Sequence, residues 1–269
     1  MKVLIVVDSP GWAYDYKAES IIKHLAEFNL TKVYFRDFRW SMALENDVVF
    51  LMGYFYFNPI EIPEMFKGKV VSTLTSFGFK NSELRKAMFP VLCQFYKRSG
   101  AVSPDLLDSL TANGATSPIL CMNGVDENKF TKTPRAIGSE KNIKVGFVCS
   151  SEDRGFDFKG LESIAKPLFR EVACDNHRID FDPLVVDSFN KARVKTHEQM
   201  VEYYHGIDLL ISTSHRYSEG TPNPAFEASS CGVPVLSTEN GCIRKLVKNG
   251  TNGFMVSGWT NREESVSAR

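Results

Sequence analysis

The sequence has no excess of charge: 32 basic residues balance 32 acidic ones over 269 positions. A chain without a basic surplus has no general attraction for nucleic acid or anionic lipid, so any recognition of phosphate must be local. The six cysteines (Cys93, Cys121, Cys149, Cys174, Cys231, Cys242) include no C-x-x-C pair, and most stand among apolar neighbours. That usage argues against a zinc site and for reduced, buried thiols in a cytoplasmic protein. The five histidines (His24, His177, His197, His205, His215) follow no metal or triad spacing, and no nucleophile elbow is present, so hydrolase chemistry has little support. No metal and no cofactor are expected. No apolar run reaches the roughly 18 residues of a membrane span, and Met1 to Asp8 is too short and too strand-like for a signal peptide. A basic amphipathic helix is also missing, so no feature carries peripheral membrane contact, which stays open.

What is present is an alternation of strand and helix signals, the pattern of an α/β protein with doubly wound sheets. The length suits two domains of about 130 residues each. In the first, Lys2 to Val7, Val48 to Met52, Val70 to Leu74 and Ile119 to Met122 read as strands. Lys17 to Phe28 has helical periodicity through Ala18, Ile21, Ile22 and Leu25. Ser103 is placed to cap a helix with Pro104 at its first position, ending near Asn113-Gly114. Residues 133–141, poor in large apolar side chains, read as a linker between domains 1–132 and 142–269. The second domain opens on the strand Ile143 to Val148. A helix follows Lys159-Gly160, with Leu161, Ile164 and Leu168 on one face. Thr196 and Gln199 form a capping box for the helix Glu198 to Tyr204, and Asp208 to Ser212 and Val233 to Ser237 are strands. The tail from Gly258 is polar and expected to be loose at its end.

Between those last two strands lies Ser218-Glu219-Gly220-Thr221-Pro222-Asn223-Pro224-Ala225-Phe226-Glu227, two glutamates with seven residues between them. Ligands of open α/β sheets collect at the carboxyl ends of strands, which puts Glu219 in a crevice. Asn223 or Pro224 is suited to start a helix, since a first-turn proline lacks only an N–H that has no partner there. The free amides and positive dipole end of such a helix suit a phosphate. Glu227, one turn in, can accept hydrogen bonds from a ribose diol.

The segment Tyr203 to Val256 resembles the donor-binding half of family-four glycosyltransferases (glycosyl transferases group 1), retaining enzymes with two Rossmann-like domains facing across a cleft, the GT-B architecture. Glu219 to Ala228 is similar to the family's paired-glutamate motif, Cys231 to Thr238 to the strand after it, and Leu246 to Val256 to its C-terminal signature. Ala101 to Pro104 and Asn123 to Phe130 resemble the end of the acceptor domain and the crossing into the donor domain. The chain is short for the class and reads as C-terminally truncated.

The resemblance implies transfer of a sugar from a nucleotide-sugar donor to a hydroxyl acceptor, a glycan, glycolipid or small molecule, without metal. It implies that Glu219 binds the donor sugar and Lys159, in a lysine-glycine pair, the diphosphate. Glu227 would bind the ribose, and Gly220, Thr221, Pro222, Asn223, Pro224 and Ala225 would line the donor site. Arg154 stands near the place of a family arginine, after a longer loop. On the acceptor side Gly11 is matched to a glycine pair reduced to Pro10-Gly11, where a backbone amide could approach phosphate. Many members carry a histidine after the strand Val70 to Leu74; this chain has Thr75-Ser76-Phe77. Asp8, Trp12, Tyr14, Asp15 and Thr75 are candidate acceptor-side residues, and His215 a candidate for sugar or phosphate contact. Two alternatives stay open: a nucleotide-sugar-binding module with impaired catalysis, and a GT-B nucleotide-sugar epimerase.

Overall fold

The computed structural model describes residues 1–57, 61–96, 98–133, 142–150, 157, 159–175, 178–186, 196–214 and 219–256. Arg154, His215, most of the expected linker and the tail from Gly258 lie outside them. The chain forms two compact units, Met1–Met122 and Asn123–Arg269. Residues 123–132, read above with the first domain, pack with the second. Phe130 is buried in the second unit's core beside Tyr204 and Ala228, its carbonyl accepts a hydrogen bond from Ser230 Oγ at 2.6 Å, and Asn123 bonds Asn223.

The first unit is built on strands β1 (Lys2–Val7), β2 (Asn29–Tyr34), β3 (Val48–Leu51), β4 (Val70–Leu74), β5 (Arg98–Ala101) and β6 (Ile119–Leu120), with helices α1 (Ala13–His24), α2 (Glu83–Phe95) and α3 (Pro104–Ala112). The strands are parallel in the order β2-β1-β3-β4-β5-β6. Side chains alternate across a strand, and β1 shows why the sheet needs cover on both faces. Val3, Ile5 and Val7 pack with Ala18 of α1, while Leu4 and Val6 join the opposite core with Leu51, Leu74 and Leu106. Ser103 caps α3 by accepting from Leu106 N, as its position before Pro104 predicts. Helix α1 starts earlier than its apolar stripe and stops at His24, because Leu25 leaves helical geometry and donates its N–H to Ile21.

The second unit carries β7 (Ile143–Ser150), β8 (Ile179–Val186), β9 (Leu209–Ser212), β10 (Val235–Thr238) and β11 (Gly253–Val256), parallel in the order β11-β10-β9-β7-β8. Its helices are α4 (Lys166–Asp175), α5 (His197–Gly206), α6 (Asn223–Ser230) and the short α7 (Ile243–Leu246). The Thr196–Gln199 capping box forms at α5. A π turn, Leu161–Ala165, precedes α4, with Ala165 N bonded to Gly160 O at 2.9 Å. The wider turn shifts the helical face. Leu168, expected inward with Leu161 and Ile164, is 37% exposed, and Phe169 points into the core at 8%, stacked on Phe181 at 4.0 Å between centroids.

Both sheets share a doubly wound plan in which the first strand of the unit lies between the second and the third. The chain direction across the sheet reverses between β1 and β3 in one unit and between β7 and β9 in the other. Such reversal points open a crevice at the carboxyl ends of the two strands. No described helix is long and apolar enough to cross a membrane.

Candidate functional site

In the second unit the sequence candidates gather at the β7/β9 reversal point. The loop after β7 ends at Asp157, Lys159 and Gly160. Asp157 organises it: its carboxylate accepts from Leu161 N at 2.8 Å and from Ser163 N and Oγ at 2.7 and 2.8 Å. Burial alone would raise the Asp157 pKa, but the Ser163 and Leu161 hydrogen bonds bring it below its usual value. Gly160 is required by geometry. Its φ is +75°, and a Cβ there would lie 3.0 Å from the Thr213 carbonyl oxygen. Thr213, just past β9, fastens the turn from the other side by donating Oγ1 to Lys159 O at 2.7 Å. The Lys159 side chain is thereby directed into the crevice, where it forms an ion pair with Glu219. Ser214 Oγ donates to the other Glu219 oxygen at 2.5 Å. Thr213, Ser214, Pro222 and Pro224 line the same pocket as Lys159.

The loop carrying Glu219 is held by the turn after β10. Cys242 N donates to Gly220 O at 3.0 Å, and Cys242 Sγ lies 3.3 Å from Thr221 Oγ1. Gly241 has φ +46°, and a Cβ on it would sit 2.2 Å from Gly220 O, so only glycine lets the two backbones approach. Asn240 is buried, with Nδ2 donating to Thr238 O and Ser214 O and Oδ1 without a partner.

Helix α6 begins at Asn223, with Pro224 second. The anion cradle expected from its amides is narrower than the motif suggested. Pro222 and Pro224 have no N–H, and Ala225 N donates to Pro222 O at 2.9 Å. Asn223 is tied by its side-chain oxygen to Asn123 Nδ2 at 2.9 Å. Glu227 lies one turn in, and Tyr204 of α5, itself fully buried, donates its hydroxyl to Glu227 Oε2 at 2.6 Å. Burial pushes the Glu227 carboxyl above the usual range, and the Tyr204 bond pulls it part of the way back.

The first-unit candidates separate into two groups. Tyr14 and Thr75 are hydrogen-bonded side chain to side chain, linking α1 to the end of β4. Asp8 follows β1 and keeps one buried oxygen, Oδ1, unpartnered. Gly11 departs from its expected role: its N–H is not open to a ligand but donates to Asp15 Oδ2 at 2.8 Å. Asp15 in turn is ion-paired with Lys32 and accepts from Tyr34, so its carboxylate is engaged within the fold. Trp12 is 38% exposed at the start of α1. Among the described residues no three His, Cys, Asp or Glu side chains converge to hold a metal ion.

Known structures with the same two-unit plan cover nearly the whole chain. Anabaena Alr3699/HepE in complex with UDP and glucose superposes with a TM-score of 0.65 at 15% identity, covering 99% of this chain and 88% of that one. Sucrose-phosphate synthase from Thermosynechococcus elongatus gives 0.67 at 13% identity, over 95% and 86%. The fold is that of GT-B glycosyltransferases.

Within that GT-B fold, residues 191–267 match the model of the family described as "Glycosyl transferases group 1". The D-inositol 3-phosphate glycosyltransferase of Geodermatophilus obscurus is 36% identical over 61 residues, 23% of this chain. The match spans 13% of that relative's own length. The paired glutamates fall inside the family match, whereas Lys159 and Asp157 lie before it. Sequence reasoning missed Tyr204, Ser214 and Asn240. Tyr204 stands 23 residues from Glu227 with no motif joining them; Ser214 was legible, being the first polar residues past β9 together with Thr213.

Proposed function

We propose that the chain is a retaining glycosyltransferase that moves a sugar from a nucleotide-sugar donor to a hydroxyl acceptor. The observation that carries this reading is the meeting of Lys159 with Glu219 at the reversal point of the second sheet, with the part-buried Glu227 one turn into the helix that follows the Glu219 loop. Glu219 receives hydroxyls of the donor sugar, Glu227 the ribose diol, and Lys159 the diphosphate. The match to the group 1 family model and the UDP-bound structures of like fold support a nucleotide-sugar donor.

In the reaction the bond from the anomeric carbon to the diphosphate breaks through an oxocarbenium-like state. The acceptor oxygen bonds to the same face of that carbon, and its proton passes to an oxygen of the leaving diphosphate. Departure builds negative charge, and a fixed ammonium offsets it. Lys159 supplies that charge, so the proposed reaction needs no metal or other cofactor. Its setting is the cytoplasm, and its acceptor a glycan, a glycolipid or a small hydroxyl compound.

The test is release of nucleoside diphosphate from a panel of nucleotide sugars offered with mixed acceptors, in EDTA. Acceptor-dependent release that disappears in Glu219→Ala and Lys159→Ala supports the proposal. Donor binding without release across the panel leaves a binding module, and conversion of the donor to its epimer an epimerase.

A further inference from the structure

The first unit has its own reversal point, between β1 and β3, and the polar groups there differ in kind from those of the second unit. Asp8 follows β1, Tyr56 lies beyond β3, and Thr75 follows β4, bonded to Tyr14 of α1. The strands are adjacent and parallel, so these residues share the carboxyl edge of one sheet. Two of them have buried oxygens without hydrogen-bond partners among the described residues, Asp8 Oδ1 and Tyr56 OH. Buried polar atoms are nearly always paired, and each exception calls for a reason. The Tyr56 ring is fixed, packed over Gly53, where a Cβ would lie 2.2 Å from its Cε1, and against Phe35 at 4.8 Å. Burial, and after it the nearby Asp8 carboxylate, raise the Tyr56 phenol.

We infer that this crevice takes an uncharged, hydroxyl-bearing ligand, with Asp8 Oδ1 accepting from one hydroxyl and Tyr56 OH bonded to the same or a neighbouring one, and that it rejects a phosphate at that position. An ionised carboxylate only accepts hydrogen bonds, and a phosphate is an acceptor of like charge; a sugar or cyclitol hydroxyl donates and accepts. The amide that would turn the first loop toward an anion, Gly11 N, is already bonded to Asp15. Of the cations near this loop, Lys32 is bound by Asp15 and Glu19. Lys17 lies over the Tyr14 ring at 5.7 Å, with Cys121 as its electrostatic neighbour. This deepens the transferase reading, on which it rests for calling the ligand an acceptor: the acceptor is neutral where it meets Asp8, in contrast to the inositol 3-phosphate in the name of the curated relative.

The test is saturation-transfer NMR on the full chain with matched neutral and phosphorylated pairs: myo-inositol and D-inositol 3-phosphate, glucose and glucose 6-phosphate, mannose and mannose 6-phosphate. At least one neutral member should bind at least tenfold more tightly than its phosphate. Tyr56→Phe should weaken that binding about tenfold, and Asp8→Asn should narrow the gap between the pair. Because Tyr56 OH bonds nothing among the described residues, Tyr56→Phe should keep or raise the unfolding midpoint; a lowered midpoint would make the hydroxyl structural and overturn the inference. Phosphate members binding as tightly as their neutral partners, no neutral member binding, or both variants matching wild type would also overturn it. UDP titrated into the same samples reports the second unit separately: UDP failing to bind counts against the transferase reading and leaves the neutral preference to stand or fall by its own signals.

Discussion

Lys159 and Glu219, 60 residues apart in sequence, form an ion pair in the crevice of the second sheet, with Ser214 holding the other Glu219 oxygen at 2.5 Å. The pair is a quarter to a fifth exposed, 24% and 20%, and both partners are groups that a phosphorylated sugar would engage. A partly solvated pair of this kind stabilises a fold by about 0.2–1 kcal/mol. A double-mutant cycle with Lys159→Ala and Glu219→Ala, read by urea unfolding, should return a coupling in that range. A coupling of several kcal/mol would make the pair a structural strut, not a site held ready for a ligand.

Tyr204 and Glu227 predict a pH dependence. Burial holds the Glu227 carboxyl above its ordinary 4.5, so the folded state keeps that proton to higher pH than the unfolded chain. The stability this contributes is fully present below 4.5 and is lost as pH rises through the folded value. Tyr204→Phe removes the donor that favours the carboxylate, so Glu227 should titrate higher still. At neutral pH the variant should be less stable by about 1.5–3 kcal/mol, the size of a hydrogen bond to a charged group. Carboxyl 13C NMR through acid pH checks the titration; an unshifted Glu227 in both proteins would contradict it.

Two glycines with positive φ should respond unequally to alanine. At Gly160 the new methyl meets the Ile164 side chain, which can move, and the Thr213 carbonyl at 3.0 Å. At Gly241 it meets the backbone oxygen of Gly220 at 2.2 Å, on the loop that carries Glu219. Gly160→Ala should cost about 1–2 kcal/mol, chiefly for the left-handed backbone. Gly241→Ala should cost more and should weaken nucleotide binding as well. Equal losses measured by thermal unfolding and UDP titration would count against the close approach of those loops.

The π turn before α4 makes a prediction an uninterrupted helix would reverse. Phe169→Ala should destabilise by about 3 kcal/mol or more, as loss of a buried aromatic does, while Leu168→Ala should change stability by less than about 1 kcal/mol. Chemical denaturation of the two variants decides it, and a larger loss at Leu168 would restore the unbroken register.

What was legible in the sequence follows from how local each signal is. The strands β1 and β4, the Ser103 cap and the Thr196–Gln199 box are written in adjacent residues and form where the pattern puts them. The paired glutamates were readable because their loop and helix are contiguous. The apolar face of α4 was misread at Leu168, since periodicity assumes 3.6 residues per turn and the hydrogen bond from Ala165 to Gly160 inserts a wider one. The amides of α6 were overcounted because the Ala225 bond to Pro222 depends on how the turn closes. The contact of Tyr204 with Glu227, 23 residues on, is set by packing that no local pattern records, and the Gly11 amide is taken by Asp15 four residues on, a closure that depends on how the first loop turns.

The central claim, that Lys159, Glu219 and Glu227 form one nucleotide-sugar site, is tested most directly by calorimetric titration of UDP-glucose, with GDP- and ADP-sugars alongside, into wild type, Lys159→Ala and Glu227→Gln. One of these donors should bind at a single site, with affinity reduced at least tenfold in each variant while the variants stay folded by circular dichroism. Binding that is unchanged in both variants, or no binding of any nucleotide sugar to wild type, would contradict it.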